Sequence, residues 1–149
     1  MPITKKRKWT PFFFIFLLLT SCSFIEDARD DVEPNIIKLT GNYRLFQISE
    51  DINYIKGKME QDPIKVDSFI TDVGWNDDFI VYRRSITSTE MEEGVLIAET
   101  GKVIVFNRSF SLSDFLSQKN LTEDDLKMSS VKDLIDAKEK KLGRKSFTN

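Results

Sequence analysis

Residues 64–107 read IKVDSFITDVGWNDDFIVYRRSITSTEMEEGVLIAETGKVIVFN, and this stretch decides the fold. Short runs of branched and aromatic side chains alternate in it with turn-forming residues, which is the pattern of strands joined by tight connections. We predict four strands here, over Ile64–Val73, Phe79–Arg84, Val95–Glu99 and Lys102–Asn107. Connections this short favour an antiparallel meander, because parallel βαβ units need long crossovers.

Two connections in this stretch carry their own turn chemistry. Trp75-Asn76-Asp77-Asp78 lies between two strand patterns, and Asn and Asp side chains hydrogen-bond their own backbone in turns. Thr100-Gly101 predicts a tight hairpin in which Gly101 takes a positive φ. Arg83 and Arg84 are adjacent in a strand, so their side chains point to opposite faces of the sheet, and one of them needs a carboxylate partner or an edge position. Upstream, Asn42–Ser49 and Asn53–Lys56 predict two further strands.

The C-terminal third has the signals of helix starts. Ser111, Thr122 and Ser130 each stand three residues before an aspartate, and Leu121 and Leu126 are spaced to form a hydrophobic staple. The predicted elements are a helix over Asp114–Lys119, a short turn over Glu123–Lys127 and a helix from Val131 to about Leu142, which Gly143 ends. Val131, Leu134 and Ile135 should face the sheet. The predicted class is α+β: an antiparallel β-meander sheet of about five strands with short C-terminal helices packed on one face.

The first 22 residues have the organisation of a secretory signal. Lys5, Lys6, Arg7 and Lys8 are followed by the unbroken apolar run Phe12–Leu19 and then by small and polar residues. The run is too short to cross a bilayer, which takes about 20 apolar residues. Leu19-Thr20-Ser21-Cys22 resembles a lipobox, and the chain is identified on these residues as a bacterial lipoprotein precursor. The resemblance implies cleavage between Ser21 and Cys22, and fatty acylation of Cys22.

Composition limits the number of domains and the class of partner for the part of the chain beyond the leader. The remaining 128 residues suit one domain and carry 18 basic and 24 acidic side chains, a net charge of −6 that disfavours nucleic acid as a partner. The predicted organisation is a signal peptide over residues 1–21, an acidic flexible tether over residues 22–38 and a single α+β domain over residues 39–149. Ser23 is not the aspartate associated with inner-membrane retention, so the outer membrane is favoured if the organism has one.

Several kinds of chemistry are excluded by residue counts. The chain has no histidine, which removes Ser-His-Asp catalysis and histidine-based zinc sites. Its one cysteine is assigned to lipid, and none of its 6 glycines belongs to a phosphate-binding loop. No cofactor is predicted. A calcium loop over Asp72–Arg83 is disfavoured because the residues at its third, sixth and twelfth positions are wrong.

A tentative surface site remains around the turn at Trp75. Asp72, Asp77 and Asp78 are close to it in sequence and could form a carboxylate pair, although a polar turn beside a half-buried tryptophan explains them as well. Glu123-Asp124-Asp125 could be a metal patch, or simply acids at a helix start. Trp75, Tyr82 and Tyr54 could line a stacking surface, but strand aromatics are more often core residues.

Three functions stay open at this point. The first is a non-catalytic structural or interaction module, anchored to the lipid bilayer through Cys22 and facing an envelope protein partner. The second is a small-ligand carrier or sensor with a cavity lined by Phe69, Phe79 and Phe106. The third is an envelope hydrolase that uses Asp72, Asp77 or Asp78. The segment Val73–Ile80 also resembles small bacterial lipoproteins of unknown function, which implies no activity.

Overall fold

The computed structural model describes residues 28–143. The chain divides into two compact units, Met1–Val32 and Glu33–Asn149. In the first unit, the described residues 28–32 are helical. None of the helices within residues 28–143 is long and apolar enough to cross a membrane.

The described part of the second unit, residues 33–143, holds two antiparallel sheets. The first has the order β1-β2-β3-β4 and the second the order β8-β7-β6-β5-β9. The strands are β1 (Ile36–Lys38), β2 (Tyr43–Gln47), β3 (Asn53–Gly57), β4 (Ile64–Val66), β5 (Ile70–Trp75), β6 (Phe79–Ser85), β7 (Met91–Ile97), β8 (Lys102–Val105) and β9 (Ser129–Ser130). β5 to β8 form a meander, and β9 returns from the C-terminal region to pair with β5.

Hydrogen bonds between a serine or threonine and the aspartate three residues later cap each of the three predicted helix starts. Helix α1 (Leu112–Gln118) begins with a reciprocal capping box between Ser111 and Asp114. The 3₁₀ helix Glu123–Leu126 begins where the Asp125 carboxylate accepts hydrogen bonds from the Thr122 backbone N–H and hydroxyl, at 2.7 and 2.8 Å. Helix α2 (Val131–Lys141) begins where the Ser130 hydroxyl accepts from the Asp133 N–H at 3.1 Å and stops at Gly143, which has φ +68°.

The second sheet is covered on both faces, and this makes two hydrophobic cores. Its first face packs against the first sheet and against Val131, Ile135 and Leu134 of α2, as the sequence predicts for these three residues. The opposite face packs against α1 and the 3₁₀ helix, through Leu112, Phe115, Leu116 and Leu126. Alternate residues of β6 supply the two cores, since Ile80 and Tyr82 lie in one and Phe79 and Val81 in the other.

The predicted α+β class, with antiparallel strands and short C-terminal helices packed on a sheet, is confirmed. The prediction placed the helices on one face, whereas they lie on both faces of the second sheet, α2 on one and α1 on the other. The strands are distributed over two sheets, because the predicted strand Ile64–Val73 is interrupted and its two halves pair in different sheets. Two strands were not predicted, β1 and β9. Residues 36–38 were assigned to the tether; they pair with β2, so folded structure begins before Leu39. The last predicted segment, residues 144–149, lies outside the described residues.

The passage between the two sheets is held by one asparagine side chain. Asp67-Ser68-Phe69 joins β4 to β5, and Ser68 and Phe69 have φ of +24° and +61°. At the first residue after it, the Ile70 N–H donates to Asn53 Oδ1 (2.8 Å) and the Ile70 carbonyl accepts from Asn53 Nδ2 (3.0 Å). Asn53 is fully buried in β3 of the first sheet. Its amide therefore joins the two sheets at the point where the chain crosses between them.

The strands give the unit two opposite ends. At one end, which we call the Asn35 end, lie Asn35 and the connections 48–52, 67–69 and 86–90. At the other, the Asp77 end, lie the connections 39–42, 76–78 and 98–101. The Asp77 end is joined across the sheets by Thr40, whose hydroxyl donates to the Asp77 carbonyl at 2.9 Å. Gly101, at this end, has the predicted positive φ, +66°. A Cβ at this position would lie only 2.6 Å from the Tyr43 hydroxyl oxygen.

We expect Asn53→Leu to lower the free energy of unfolding by about 2–4 kcal/mol, because it leaves two buried backbone groups without hydrogen-bond partners. Urea titration monitored by circular dichroism measures this loss. Asn42→Ala is the matched control, since Asn42 is exposed, and it should leave the midpoint nearly unchanged. Equal midpoints for Asn53→Leu and the unsubstituted protein would contradict the role given to Asn53.

Candidate functional site

The turn after β5 has the backbone geometry predicted for Trp75–Asp78. Asn76 Oδ1 accepts hydrogen bonds from the backbone N–H groups of Asp78 and Phe79, both at 2.9 Å. The Asn76 N–H donates in turn to the Phe79 carbonyl at 3.1 Å. The side chain of Asn76 is thus used to shape the turn, and the exposed Asp77 at its tip is not needed for that purpose.

A second wall is brought beside this turn by β9. The register Asp72↔Ser130 and Val73↔Ser129 places the preceding residues 126–128 alongside Gly74 and Trp75. Gly74 permits this approach, because a Cβ there would stand only 2.5 Å from Met128 Sδ and 2.8 Å from the Leu126 carbonyl oxygen. Lys127 follows the 3₁₀ helix with φ +48° and is exposed at the cleft rim.

Between these walls lies an open cleft of about 570 Å³ at the Asp77 end. Its lining residues come from three distant parts of the sequence: Leu39, Thr40, Trp75, Asn76, Asp77, Asp125, Leu126, Lys127, Ser129 and Leu134. The volume lies in the range of small-ligand sites, roughly 300–1,000 Å³. The half-buried Trp75 offers an aromatic surface, and Asp77 and Lys127 offer opposite charges.

Asp125 adds a second carboxylate to the cleft, and this carboxylate caps the start of the 3₁₀ helix. Hydrogen bonds from the Thr122 backbone and hydroxyl lower the pKa of Asp125, so this group stays ionised and cannot serve as a general acid near neutral pH. It contributes negative charge to one side of the cleft. The arrangement therefore supports recognition by stacking and charge more than proton transfer.

The predicted surface site is only partly assembled. Trp75 and Asp77 both line the cleft. Asp72 lies further along β5, directly opposite Arg83 and Ser130, and its carboxylate accepts a hydrogen bond from Thr71. Asp78 is exposed on the turn but does not belong to the cleft lining. The structure thus does not bring Asp72, Asp77 and Asp78 together as a carboxylate group.

Arg83 and Arg84, which are adjacent in β6, point to opposite faces of the sheet, and each has a carboxylate partner. Arg83 Nε donates to Glu93 (2.7 Å) on one face of the sheet, and Arg84 Nε donates to Glu92 (2.8 Å) on the other. The Arg84 hydrogen bond lowers the pKa of Glu92. Burial, with Glu92 beside it, raises the pKa of Tyr82, whose hydroxyl donates to Glu92 at 3.1 Å. These groups form structural cross-strand pairs at the Asn35 end.

Neither predicted aromatic surface is formed. Tyr82 is buried in the core against Gly94, and Tyr54 stacks on Phe46 in the first sheet with ring centroids 5.4 Å apart. Phe79 and Phe106 share one core with Phe115, but Phe69 is half exposed at the Asn35 end. The proposed cavity lined by Phe69, Phe79 and Phe106 is therefore wrong.

The remaining predicted sites have different outcomes. Within residues 28–143, no group of three or more acidic residues is placed to hold a metal ion, including Glu123-Asp124-Asp125. Ser21 and Cys22 lie outside the described residues, so their lipid attachment and cleavage stay predictions.

Sequence reasoning named Asp125 only within a possible metal patch at a helix start, and it named Asn76 only as a turn residue. It missed three other polar residues of the cleft, Thr40, Lys127 and Ser129. These three have no local pattern that indicates a site. They reach the cleft only because β9 pairs with β5 and because the loop after β1 contacts the Asp77 turn.

No family model, curated protein or solved structure matches this chain. Its function therefore has to be inferred from its own residues and geometry.

We expect Thr40→Val to lower the free energy of unfolding by about 1 kcal/mol, since it removes the hydrogen bond to the Asp77 carbonyl. It should also increase acrylamide quenching of Trp75 in the folded state, because the turn is no longer held to the first sheet. Trp75 is the only tryptophan after the leader, so intrinsic fluorescence of the processed chain reports on the cleft alone. Thr89→Val, at the Asn35 end, is the control. Identical quenching in both variants would show that Thr40 does not hold the cleft.

Proposed function

We propose that this chain is the precursor of a membrane-anchored envelope lipoprotein whose folded unit is a non-catalytic interaction module. The observation that carries the proposal is Leu19-Thr20-Ser21-Cys22, directly behind a basic start and an apolar run. The thiol of Cys22 is the only one in the chain and stands where a lipobox requires it. Diacylglyceryl transfer to this sulfur, followed by acylation of the freed α-amine, gives a stable anchor.

The geometry of the second unit supports an anchored module. The chain enters this unit at the Asn35 end, where the Asn35 carbonyl accepts from the Gln47 N–H at 2.8 Å. The cleft lies at the opposite, Asp77 end. A protein held to a bilayer through the chain before Asn35 would present the cleft away from the lipid surface, where a soluble or envelope partner can reach it. The outer membrane is the favoured location if the organism has one.

The chemistry of the cleft supports binding over turnover. The chain contains no histidine, Asp125 is held by its helix cap, and Asp72 lies in the sheet opposite Arg83. A carboxylate hydrolase of the kind considered from sequence needs two carboxyl groups at a set separation around the substrate. The residues that suggested it, Asp72, Asp77 and Asp78, do not share the cleft.

A second candidate function is favoured by one observation, the size of the cleft. About 570 Å³ beside a half-buried tryptophan could hold a small molecule in place of a protein loop. The protein would then be a ligand-binding or sensor lipoprotein. Trp75 fluorescence distinguishes the two, because a small molecule that stacks on the indole changes its emission without any protein partner.

We expect the protein to incorporate radiolabelled palmitate and Cys22→Ser to incorporate none, with the unprocessed precursor accumulating. The matched control is Ser23→Ala, which changes the neighbouring residue and should be labelled and processed normally. Equal labelling of the Cys22→Ser variant would overturn the anchor.

A photo-cross-linking residue at Asp77 should give one discrete adduct with an envelope protein in intact cells. The same residue at Ser109, which is exposed but outside the cleft, should give none. Adducts of equal yield from both positions would contradict a specific site. If Asp77 gives no protein adduct while a small-molecule extract shifts Trp75 emission, the ligand-binding function replaces the interaction module.

A further inference from the structure

The Asn35 end exposes an unusual number of large apolar side chains. Four exposed large hydrophobic residues lie in the connections at this end, and a fifth is the first residue of β7; they are Ile48, Ile52, Phe69, Ile86 and Met91, which are 43–69% exposed. Single apolar residues on a surface are ordinary, but a group at one end of a domain indicates a contact surface. We call these five residues the apolar end.

Hydrogen bonds place these residues beside one another. Ile48 and Ile52 close the β2–β3 hairpin, where the Ile48 N–H donates to the Ile52 carbonyl at 2.8 Å. The next residue, Asn53, binds Ile70, which follows Phe69. The Phe69 carbonyl accepts from the Ser85 N–H at 3.0 Å. Ser85 is paired with Met91 and followed by Ile86. The five residues of the apolar end thus lie at neighbouring backbone positions across the tips of both sheets.

Phe69 gives this surface its clearest sign of a role beyond folding. Its φ of +61° is in the left-handed region, which bulky side chains rarely occupy. A glycine would make the same crossing without strain. Phe69 is 49% exposed, so core packing does not account for its conformation. Strained residues that the fold does not need are found at functional surfaces.

The chain that leads to Cys22 joins the unit at this same end. Asn35 is bonded to Gln47, the residue before Ile48: its carbonyl accepts from the Gln47 N–H, and its Nδ2 donates to the Gln47 carbonyl at 3.2 Å. Fourteen residue steps separate Cys22 from Ile36. They span at most about 50 Å even when fully extended. An anchor at Cys22 therefore keeps the apolar end within about that distance of the bilayer, and this is the end at which the chain enters the second unit.

Charge at the apolar end selects among lipid surfaces. The connections 48–52, 67–69 and 86–90 contain Glu50, Asp51, Asp67 and Glu90 and no lysine or arginine. The arginines at the same end, Arg83 and Arg84, are paired with Glu93 and Glu92. Anionic headgroups would repel these carboxylates, and zwitterionic headgroups would not. The four carboxylates limit how deeply the exposed apolar side chains can enter the lipid interface. The expected insertion is therefore shallow, as for an amphipathic surface that lies on a bilayer.

We propose that the apolar end is a bilayer-docking surface that rests on zwitterionic phospholipid and holds the cleft facing away from the membrane. The proposal rests on the lipid anchor proposed at Cys22 and specifies the lipid class that the anchored unit contacts. The contact is weak by itself, and the anchor makes it effective because it supplies a high local concentration of lipid surface.

The test couples the chain that begins at Cys22 to a maleimide lipid in phosphatidylethanolamine–phosphatidylcholine vesicles. This chain keeps all of the compact unit Glu33–Asn149, and its one cysteine makes the coupling unique. Amide hydrogen exchange is then compared with and without vesicles. Docking predicts exchange slowed about threefold or more over residues 48–52, 67–69 and 86–91 and unchanged at 76–78. Vesicles enriched in phosphatidylglycerol should give less protection.

Two sets of variants complete the test. Ile48→Ser, Ile86→Ser and Met91→Ser together should abolish the protection. Ile64→Ser, at the first residue of β4, and Val105→Ser, opposite Gly94 in the middle of β7, remove exposed apolar residues outside the apolar end and should keep the protection. Matching Trp75 emission and unfolding midpoints show that both sets are folded. Absence of protection in the unsubstituted chain, or equal loss in the two sets, would overturn the docking surface. Maleimide coupling replaces the natural lipid, so failed palmitate labelling would overturn the anchor and leave this result standing.

Discussion

The paired hydrogen bonds between the Asn53 amide and the Ile70 backbone are the constraint on which the arrangement of the two sheets depends. An unpaired buried N–H or C=O is costly, so the Ile70 backbone needs partners at the first residue of β5, where the chain has just left the first sheet. Asn53 supplies a donor and an acceptor from one side chain. Arg84 adds to the same crossing by donating to the Asp67 carbonyl at 2.7 Å. The crossing in turn sets which face of the second sheet meets the first sheet and which meets α1.

The parts of the fold that could be predicted are those in which contacts are local in sequence. The Asn76 turn, the caps at Ser111 and Thr122 and the Gly101 hairpin all join residues two to four positions apart. The interruption after Val66 could not be seen, because the left-handed residues there are Ser68 and Phe69 and no glycine marks them. β1 was obscured by the acidic residues before it, and β9 consists of two serines with no apolar alternation.

The difference between local and distant contacts also explains which residues of the candidate site could be predicted. Trp75 and Asp77 could be named because they stand in a turn with a recognisable composition. Lys127 and Ser129 could not, because the turn at Trp75 and Asp77 that they face is about fifty positions away in the sequence. Asp72 and Asp78 were grouped with Asp77 on sequence proximity, but alternation along β5 and the direction of the turn separate them. A cleft built by pairing β9 to β5 becomes visible only with the topology.

The position of β1 determines how the unit would bear a pull on the anchor proposed at Cys22. Tension transmitted through the chain before Glu33 would act on Ile36–Lys38 along the strand axis, while its bonds to β2 run across that axis. Such loading shears the pairs Ile36↔Phe46, Ile37↔Leu45 and Lys38↔Arg44 together instead of opening them one at a time. The Lys138 ammonium, which donates to the Ile36 carbonyl, connects the same strand to α2. The first strand is therefore placed so that such a pull would have to break all of these contacts together.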